Sequence, residues 1–170
     1  MKTTTCDHEI RVRGDQKVCA TCKAPLGPVY TSDRLNDDIR FLLGRISLEY
    51  DTLKAKFIAE TDKDPSNAIR WHAYDLLVSQ HRAAYTGDLL KALEGAQTSA
   101  AKRDLLLEEK SRLTRHLTRA SAAEWDSSTS PFGNQDMKAR TVADARSLKA
   151  LEEIMGRFEK ADADRALPQA

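Results

Sequence analysis

The 170-residue sequence lacks long apolar runs, a secretion signal and an excess of charge of one sign. No stretch approaches the roughly 20 apolar residues that cross a bilayer, and the N-terminus lacks the apolar segment and small-residue cleavage site of a secretory signal. We therefore expect a cytoplasmic protein with no membrane contact. The 27 Lys and Arg nearly balance the 26 Asp and Glu. This balance excludes a generally basic nucleic-acid coat and an acidic solvating tail, but a local charged patch remains compatible with it.

Familiar catalytic motifs are missing as well. The sequence has no Gly-rich phosphate loop, Gly-x-Ser-x-Gly elbow or His-Glu-x-x-His zinc helix in a suitable context. Tyr74, His81, Tyr85 and Asp88 share roughly one helix face, but no nucleophile or oxyanion donor accompanies them, and such side chains commonly edge a helical core. We predict that the protein is not an enzyme and has no small-molecule substrate. A helical enzyme with an unrecognised site is the third hypothesis.

Cysteine is scarce and confined to the start of the chain. An odd number of three cysteines without a secretion signal argues against a disulfide scaffold. Cys6 and His8 form one close pair and Cys19 and Cys22 another, which is metal-ligand spacing for tetrahedral zinc. Residues 9–18 between the pairs predict a β-hairpin with a Gly-Asp turn, and residues 23–27 predict a turn whose amides face the sulfurs.

The run VCATCKAPLG at residues 18–27 resembles the knuckle of zinc-ribbon domains, with Cys6 and His8 as the opposing ligand pair. This resemblance covers residues 6–27 and implies a structural Zn²⁺ and a ribbon that contacts nucleic acid or protein, without catalysis. Two alternatives stay open for the cysteines. One is a redox Cys-x-x-Cys pair, although the thioredoxin-like strand and helix context is missing, and the other is free thiols in a disordered tail.

Helical periodicity begins after residue 30 and is interrupted by polar breaks. It predicts a first helix that starts at a cap on Ser32 or Asp33, and three more over residues 65–94, 99–123 and 137–166. The predicted fold is mainly α, an elongated bundle or coiled coil of about four helices with a small zinc-bound β-hairpin. The predicted domains are a zinc-ribbon-like module (1–30), a three-helix antiparallel bundle (31–123), a polar linker (124–136) and an amphipathic C-terminal helix with a tail (137–170).

Apolar stripes predict which helix faces pack together. The main stripes are Leu35, Ile39, Leu42, Ile46, Tyr50, Leu53 and Phe57 on the first helix and Met137, Leu148, Leu151, Ile154, Met155 and Phe158 on the fourth. The second helix is apolar on two sides and leaves a narrow polar strip at Asp75, Ser79, Arg82 and Thr86. Phe41, Leu48 and Ala55 recur every seven residues on nearly the opposite side of the first helix. This second row predicts a contact surface for a partner chain.

Two groups of basic residues are candidates for contacts with nucleic acid or with an acidic partner. Arg112, Arg115 and Arg119 advance by three and four residues along the third helix and can follow a phosphate backbone. The predicted ribbon contributes a second group, which comprises Arg11, Arg13, Lys17 and Lys23. The alternative for the arginine row is an ordinary solvated helix face, since cations are favourable near the C-terminal end of a helix.

The leading hypothesis is a non-enzymatic adaptor or assembly protein, in which a structural zinc ribbon and helical surfaces bind protein partners or a second copy of the chain. The second hypothesis is a nucleic-acid-binding regulator or packaging factor that uses the two basic groups. Neither hypothesis identifies the partner.

Overall fold

A computed structural model describes residues 9–122 and 131–169. Three short strands precede four long helices, in the order β1 (Ile10–Arg13), β2 (Gln16–Cys19), β3 (Pro25–Pro28), α1 (Ser32–Thr61), α2 (Pro65–Gly95), α3 (Ser99–Ala122) and α4 (Pro131–Arg165). The helices pack as a bundle, and the strands form a small antiparallel sheet, which confirms the predicted fold class. Within the described ranges, every helix is too short or too polar to cross a membrane.

Local side-chain caps explain where the first two helices begin. The predicted start of α1 at Ser32 is confirmed, but the cap is one residue earlier than expected. The Thr31 hydroxyl accepts a hydrogen bond from the backbone N–H of Arg34 at 3.3 Å. In α2, the Asp64 carboxylate accepts a hydrogen bond from the N–H of Asn67 at 3.1 Å. Each side chain satisfies a backbone donor that the first helical turn leaves without a partner.

The start of α4 differs from the prediction. The helix begins at Pro131 instead of Met137, so its first turns occupy the second half of the predicted linker 124–136. Proline fits the first helical turn because its missing N–H would have no intrahelical acceptor there. The Ser-Pro-Phe-Gly-Asn composition of this stretch is also typical of a loop, and the sequence alone therefore favoured the wrong alternative. Residues 123–130 lie outside the described ranges.

The chain divides into two compact units. The first, here called the sheet unit, contains the sheet, the residues up to Asp38 and the residues from Gly156 onward. The second, here called the bundle unit, comprises Ile39–Met155. The predicted boundary at residue 30 concerns independent folding of the N-terminal module and stays a prediction.

The first two strands form the predicted hairpin. Ile10 pairs with Cys19 and Arg13 pairs with Gln16, so the turn between the strands has only two residues. Gly14 is the first of them and has a φ of 59°. Type II′ hairpin turns require positive φ at this position, and glycine adopts it without a steric penalty.

The third strand was not predicted, because residues 23–27 were expected to form only a turn. β3 pairs with β2 at the edge of the sheet, with Lys17 opposite Gly27 and an irregularity between Lys17 and Val18. Prolines Pro25 and Pro28 at its ends cannot donate to a neighbouring strand, and an edge strand tolerates this loss. Because of these prolines, the sequence pattern indicated a loop instead of a strand.

Asp164 holds the sheet to the C-terminal end of the chain within the sheet unit. Both of its carboxylate oxygens lie 3.2 Å from the Lys17 ammonium, and Oδ2 also accepts the backbone N–H of Tyr30 at 2.8 Å. The N–H of Val12 on β1 donates to the carbonyl of Pro168 at 2.9 Å. Residues far apart in sequence thereby form one hydrogen-bonded unit.

A second polar cluster surrounds the buried Tyr30 in the same unit. Its hydroxyl donates to the Asp38 carboxylate, which also pairs with Arg157 at 3.0 Å. The Lys160 ammonium lies 5.3 Å from the centre of the Tyr30 ring. Burial and the hydrogen bond to Asp38 raise the pKa of Tyr30, so the hydroxyl keeps its proton and acts as a donor.

In the bundle unit, ion pairs define the directions of consecutive helices. They are Arg40–Glu94 and Glu49–Arg82 between α1 and α2 and Lys110–Glu152 between α3 and α4, and a contact between His116 and Asp144 also joins α3 and α4. In each pair of helices, a residue later in one helix meets a residue earlier in the other. Both pairs are therefore antiparallel, as expected for helices joined by short connections.

The apolar face of α4 packs within the chain. Leu151 and Ile154 are completely buried, and Ala139 and Ala143 form a cluster with Val78 on α2. Small alanine side chains allow the two helices to approach closely at this cluster. Most of the predicted stripe is therefore covered within the chain, but Met137 is 53 % exposed, so its predicted place in the packed stripe is wrong.

The polar strip predicted on α2 is wrong at two positions. Ser79 and Thr86 are each only 2 % exposed. Thr86 tolerates burial because its hydroxyl donates to the carbonyl of Arg82 one turn earlier, at 2.9 Å. The hydroxyls of Ser79 and of Ser147 on α4 are buried without a hydrogen-bond partner among the described residues. Small hydroxyl residues thus occupy interior positions that the sequence pattern assigned to the surface.

Candidate metal ligands and interaction surfaces

A tight turn between β2 and β3 positions the cysteine pair. The N–H of Cys19 donates to the carbonyl of Ala24 at 3.0 Å, and the N–H of Lys23 donates to the carbonyl of Cys19 at 3.0 Å. Lys23 has a φ of 61°, in the left-handed region. The turn folds back on itself through these contacts, so Cys19 and Cys22 lie on the same tip of the sheet unit.

The two sulfur positions differ in their surroundings. Cys19 is completely buried, whereas Cys22 is exposed. The backbone N–H of Cys22 lies 3.4 Å from Cys19 Sγ and donates a hydrogen bond to it. A donor directed at a sulfur favours the thiolate over the thiol, and thiolate is the form that ligates metals.

The cysteine turn supplies two of the four predicted zinc ligands. Cys6 and His8 lie outside the described residues, so the full ligand set stays a prediction. Within residues 9–122 and 131–169, no group of three or more His, Cys, Asp or Glu side chains is arranged to hold a metal ion. The predicted ligands Cys6 and His8 would supply the other half of a metal site at Cys19 and Cys22.

Three of the four basic residues of the predicted ribbon make polar contacts within the chain. Lys17 is engaged with Asp164, and the Lys23 ammonium donates to the carbonyl of Ala20 at 2.7 Å. Arg11 pairs with Glu9 at 3.2 Å, while Arg13 is exposed. Intramolecular contacts thus occupy most of this charge, and the ribbon offers less to a phosphate backbone than its composition indicates.

The arginine row on α3 lies along a cleft of about 360 Å³ between α3 and α4. Its lining residues are Arg112, Arg115, His116, Arg119, Arg140 and Asp144. The three arginines of α3 were predicted from the sequence, whereas Arg140, which α4 contributes, was not. Nothing in the local sequence indicates Arg140, since its position depends on the pairing of the two helices. The cleft, here called the arginine cleft, is strongly cationic.

Contacts at the arginine cleft leave part of its charge uncompensated. Arg112 pairs with Glu109 at 2.8 Å, and His116 Nδ1 lies 2.5 Å from a carboxylate oxygen of Asp144. In contrast, Arg119 and Arg140 have no ion-pair partner within the described part of the chain. Two helices therefore present unpaired guanidinium groups to the same cleft.

Tyr85 on α2 contacts Arg112, one of the residues that line the arginine cleft. The Arg112 guanidinium lies 5.5 Å from the centre of the Tyr85 ring, a cation–π contact. Burial raises the pKa of Tyr85, and the Glu109 charge raises it further against the opposing effect of Arg112. The hydrogen bond to Glu109 is the main cause that raises the pKa of Arg112. Tyr85 therefore stays neutral and Arg112 stays charged at all physiological pH values.

The predicted second row on α1 is exposed. Phe41 is 68 % exposed and Leu48 is 64 % exposed, and Ala55 also faces solvent. These residues, here called the outer row, lie opposite the buried Leu43 and Ile46. Single exposed apolar residues are ordinary, but two large ones at heptad spacing on one helix are typical of a helix-pairing surface.

The four residues considered for acid–base chemistry have different environments. Tyr74 and Asp88 are exposed, whereas Tyr85 faces α3. His81 Nε2 lies 3.0 Å from the Asp136 carboxylate at the start of α4. A polar contact between helices accounts for His81, and a place at the edge of the core accounts for Tyr85.

Comparison of the chain with protein-family models, with curated proteins and with solved structures found no match.

Proposed function

We propose that the protein is a non-enzymatic assembly protein that associates with a second copy of itself through the outer row of α1. The observation that carries this proposal is the exposure of Phe41 and Leu48 at heptad spacing. Burying each of these side chains is worth about 1.5–3 kcal/mol, and a twofold interface buries each of them twice. Burial of these side chains therefore offers a substantial driving force for pairing.

Charge on both sides of the outer row favours a second copy as the occupant. Helical periodicity places Asp51 on one side of the row and Arg45 and Lys56 on the other side, and all three are exposed. In a parallel pair of identical helices, each side faces the opposite side of the partner helix. Two copies would thus bring acidic and basic residues together while burying Phe41 and Leu48.

Sedimentation velocity over a range of concentrations tests this proposal. The wild-type protein should show reversible association, and the double substitution Phe41→Ser and Leu48→Ser should weaken it at least about a hundredfold. Both positions are exposed, so the variant should retain its helical circular dichroism. Leu107→Ser is the matched control, because Leu107 is an exposed leucine on α3 at 51 %.

Two results would contradict self-association through α1. One is a wild-type protein that stays monomeric at all accessible concentrations. The other is an association that Leu107→Ser weakens as much as the double substitution does, because this would indicate nonspecific hydrophobic association.

A structural zinc ribbon at the N-terminus forms the second part of the proposed function. The Cys19 and Cys22 turn and the N–H directed at Cys19 Sγ support it, because both suit a thiolate ligand. Cys6 and His8 would complete a four-ligand site, and bound Zn²⁺ would order the N-terminal residues. A site with four protein ligands leaves no open position for a substrate, which agrees with an assembly role.

The arginine cleft favours a second candidate function, the binding of nucleic acid. Arg119 and Arg140 approach from two helices without ion-pair partners in the described ranges, and Arg112 and Arg115 extend the same surface. Guanidinium groups at such positions suit phosphate contacts that are independent of base sequence. The protein would then assemble on a nucleic-acid backbone instead of on a second protein chain alone.

Fluorescence anisotropy with duplex DNA at several salt concentrations tests this second function. Replacing Arg119 and Arg140 by glutamine should weaken binding and reduce the slope of log K against log salt by about 2. Arg146→Gln and Lys149→Gln, which remove two charges from another face of α4, provide the matched control. Absence of DNA binding by the wild-type protein at low salt, or equal losses in test and control variants, would reject the nucleic-acid function.

A further inference from the structure

A second cleft, of about 530 Å³, lies between α1, α2 and α4 in the bundle unit. Leu42, Ile46 and Ala150 form apolar parts of its lining. It opens on a different side of α4 from the arginine cleft, because Lys149 lies about two and a half helical turns after Arg140 and therefore on the opposite side of the helix. We call it the three-helix cleft. Its volume is in the range of small-molecule binding sites, roughly 300–1,000 Å³.

The rim of the three-helix cleft has more cations than carboxylates. Its charged lining residues are Arg45, Arg82, Arg146 and Lys149 on the positive side and Glu49 and Glu153 on the negative side. Part of this charge is compensated within the protein. Arg82 pairs with Glu49 at 3.0 Å, and the Arg82 side chain is only 13 % exposed. Glu153 is engaged in an interaction of its own.

Three of the cations that line the three-helix cleft are not paired with a carboxylate of the described residues. Arg45 on α1 and Arg146 and Lys149 on α4 have no ion-pair partner within residues 9–122 and 131–169. Like charges that converge from two helices repel one another, and an anion placed between them would relieve this repulsion through charge-assisted hydrogen bonds. Leu42, Ile46 and Ala150 would meanwhile favour an apolar group on the same molecule.

We propose that the three-helix cleft binds a free small molecule that joins one anionic group, such as a phosphate, sulfonate or carboxylate, to an apolar body. The anionic group would lie among Arg45, Arg146 and Lys149, and the apolar body would lie against Ile46 and Ala150. This inference is independent of self-association through the outer row and of phosphate contacts at the arginine cleft, since it uses neither surface.

Isothermal titration calorimetry of the full chain with octyl phosphate, below its micelle concentration, tests the proposal. Octyl phosphate should bind with a stoichiometry of one per chain and at least about tenfold more tightly than inorganic phosphate, because only octyl phosphate contacts the apolar lining. The double substitution Arg146→Gln and Lys149→Gln should weaken binding at least about tenfold. The matched control Arg119→Gln with Arg140→Gln should leave the affinity unchanged.

A further variant tests the apolar lining of the cleft without changing its charge. Ala150→Phe should fill part of the cleft and weaken octyl phosphate binding, while circular dichroism should show that the helices are intact. The proposal is overturned if the folded wild-type chain shows no saturable binding of octyl phosphate. Equal affinity for inorganic phosphate, or a loss as large in the control as in the test variant, also overturns it.

Discussion

Replacing Cys19 by serine should abolish stoichiometric zinc binding and disorder the N-terminal sheet, while most of the helical circular dichroism persists. Cys19 is completely buried at the end of β2, and its sulfur accepts the N–H of Cys22. The sheet buries few large apolar side chains, so metal–ligand bonds should supply most of the free energy that orders it. In zinc-finger peptides this contribution is on the order of 10 kcal/mol.

Metal analysis of carefully reduced protein and hydrogen exchange of the amides in residues 10–28 measure these effects. Removal of the metal by a chelator should have the same consequence, as should Cys22→Ser. Thr21→Ala is the matched control, because Thr21 is exposed in the same turn and supplies no predicted ligand. A wild-type protein with an ordered sheet and no zinc would contradict the metal assignment.

The same experiment tests the predicted boundary at residue 30. If the N-terminal module folds independently, chelation should leave α1, α2 and α3 intact. A cooperative loss of all helices on chelation would show that the module and the helices fold as one unit. Even if the module folds independently, we expect a limited effect on the last turn of α4. Asp164 lies there, and its two hydrogen-bonded partners belong to the N-terminal segment.

Local signals in the sequence predicted most of the secondary structure. The start of a helix is marked by local residues. For α2, the Asp64 side chain caps a free N–H group and Pro65 occupies the first helical position, where no N–H is needed. The hairpin between β1 and β2 was equally local, because the Gly14 turn is flanked by residues that pair across it. Proline at Pro25 and Pro131 misled the prediction, since it fits loops, strand edges and first helical turns alike.

The candidate sites depended more on contacts between distant segments, which the sequence pattern did not contain. Arg140 joins the arginine cleft only because α4 runs antiparallel to α3 at that register. Ser79 was assigned to the surface by its polarity, whereas packing against neighbouring helices places it in the interior. The outer row was predictable because heptad spacing of Phe41 and Leu48 within one helix determines that they share a face.

The role of Lys17 also depends on a contact between distant segments of the chain. Its charge and its place in the predicted ribbon suggested a phosphate contact, but it pairs with Asp164, which lies 147 residues away in sequence. The Lys17 side chain is 18 % exposed and that of Asp164 is 9 % exposed. At this burial, removing one partner leaves the other charge with little water and no counterion, which is more costly than the loss of a surface ion pair.

Asp164→Ala should therefore lower the free energy of unfolding of the sheet unit by about 3 kcal/mol. The substitution removes the acceptor of the Lys17 ammonium and of the Tyr30 N–H, and both donors would be left buried. Denaturant unfolding measures the loss, and hydrogen exchange at Tyr30 locates it. Glu159→Ala is the matched control, because Glu159 is exposed on α4 in the same unit and its substitution should cost less than about 1 kcal/mol.

A second substitution distinguishes the structural role of Lys17 from a role in binding nucleic acid. In the Asp164→Ala background, Lys17→Met removes the stranded ammonium and should recover part of the lost stability. If Lys17 instead served mainly as a phosphate contact, Lys17→Met in the wild-type background would reduce the salt slope of DNA binding and leave stability nearly unchanged. A loss of stability without a change in that slope is the result that the buried pair predicts.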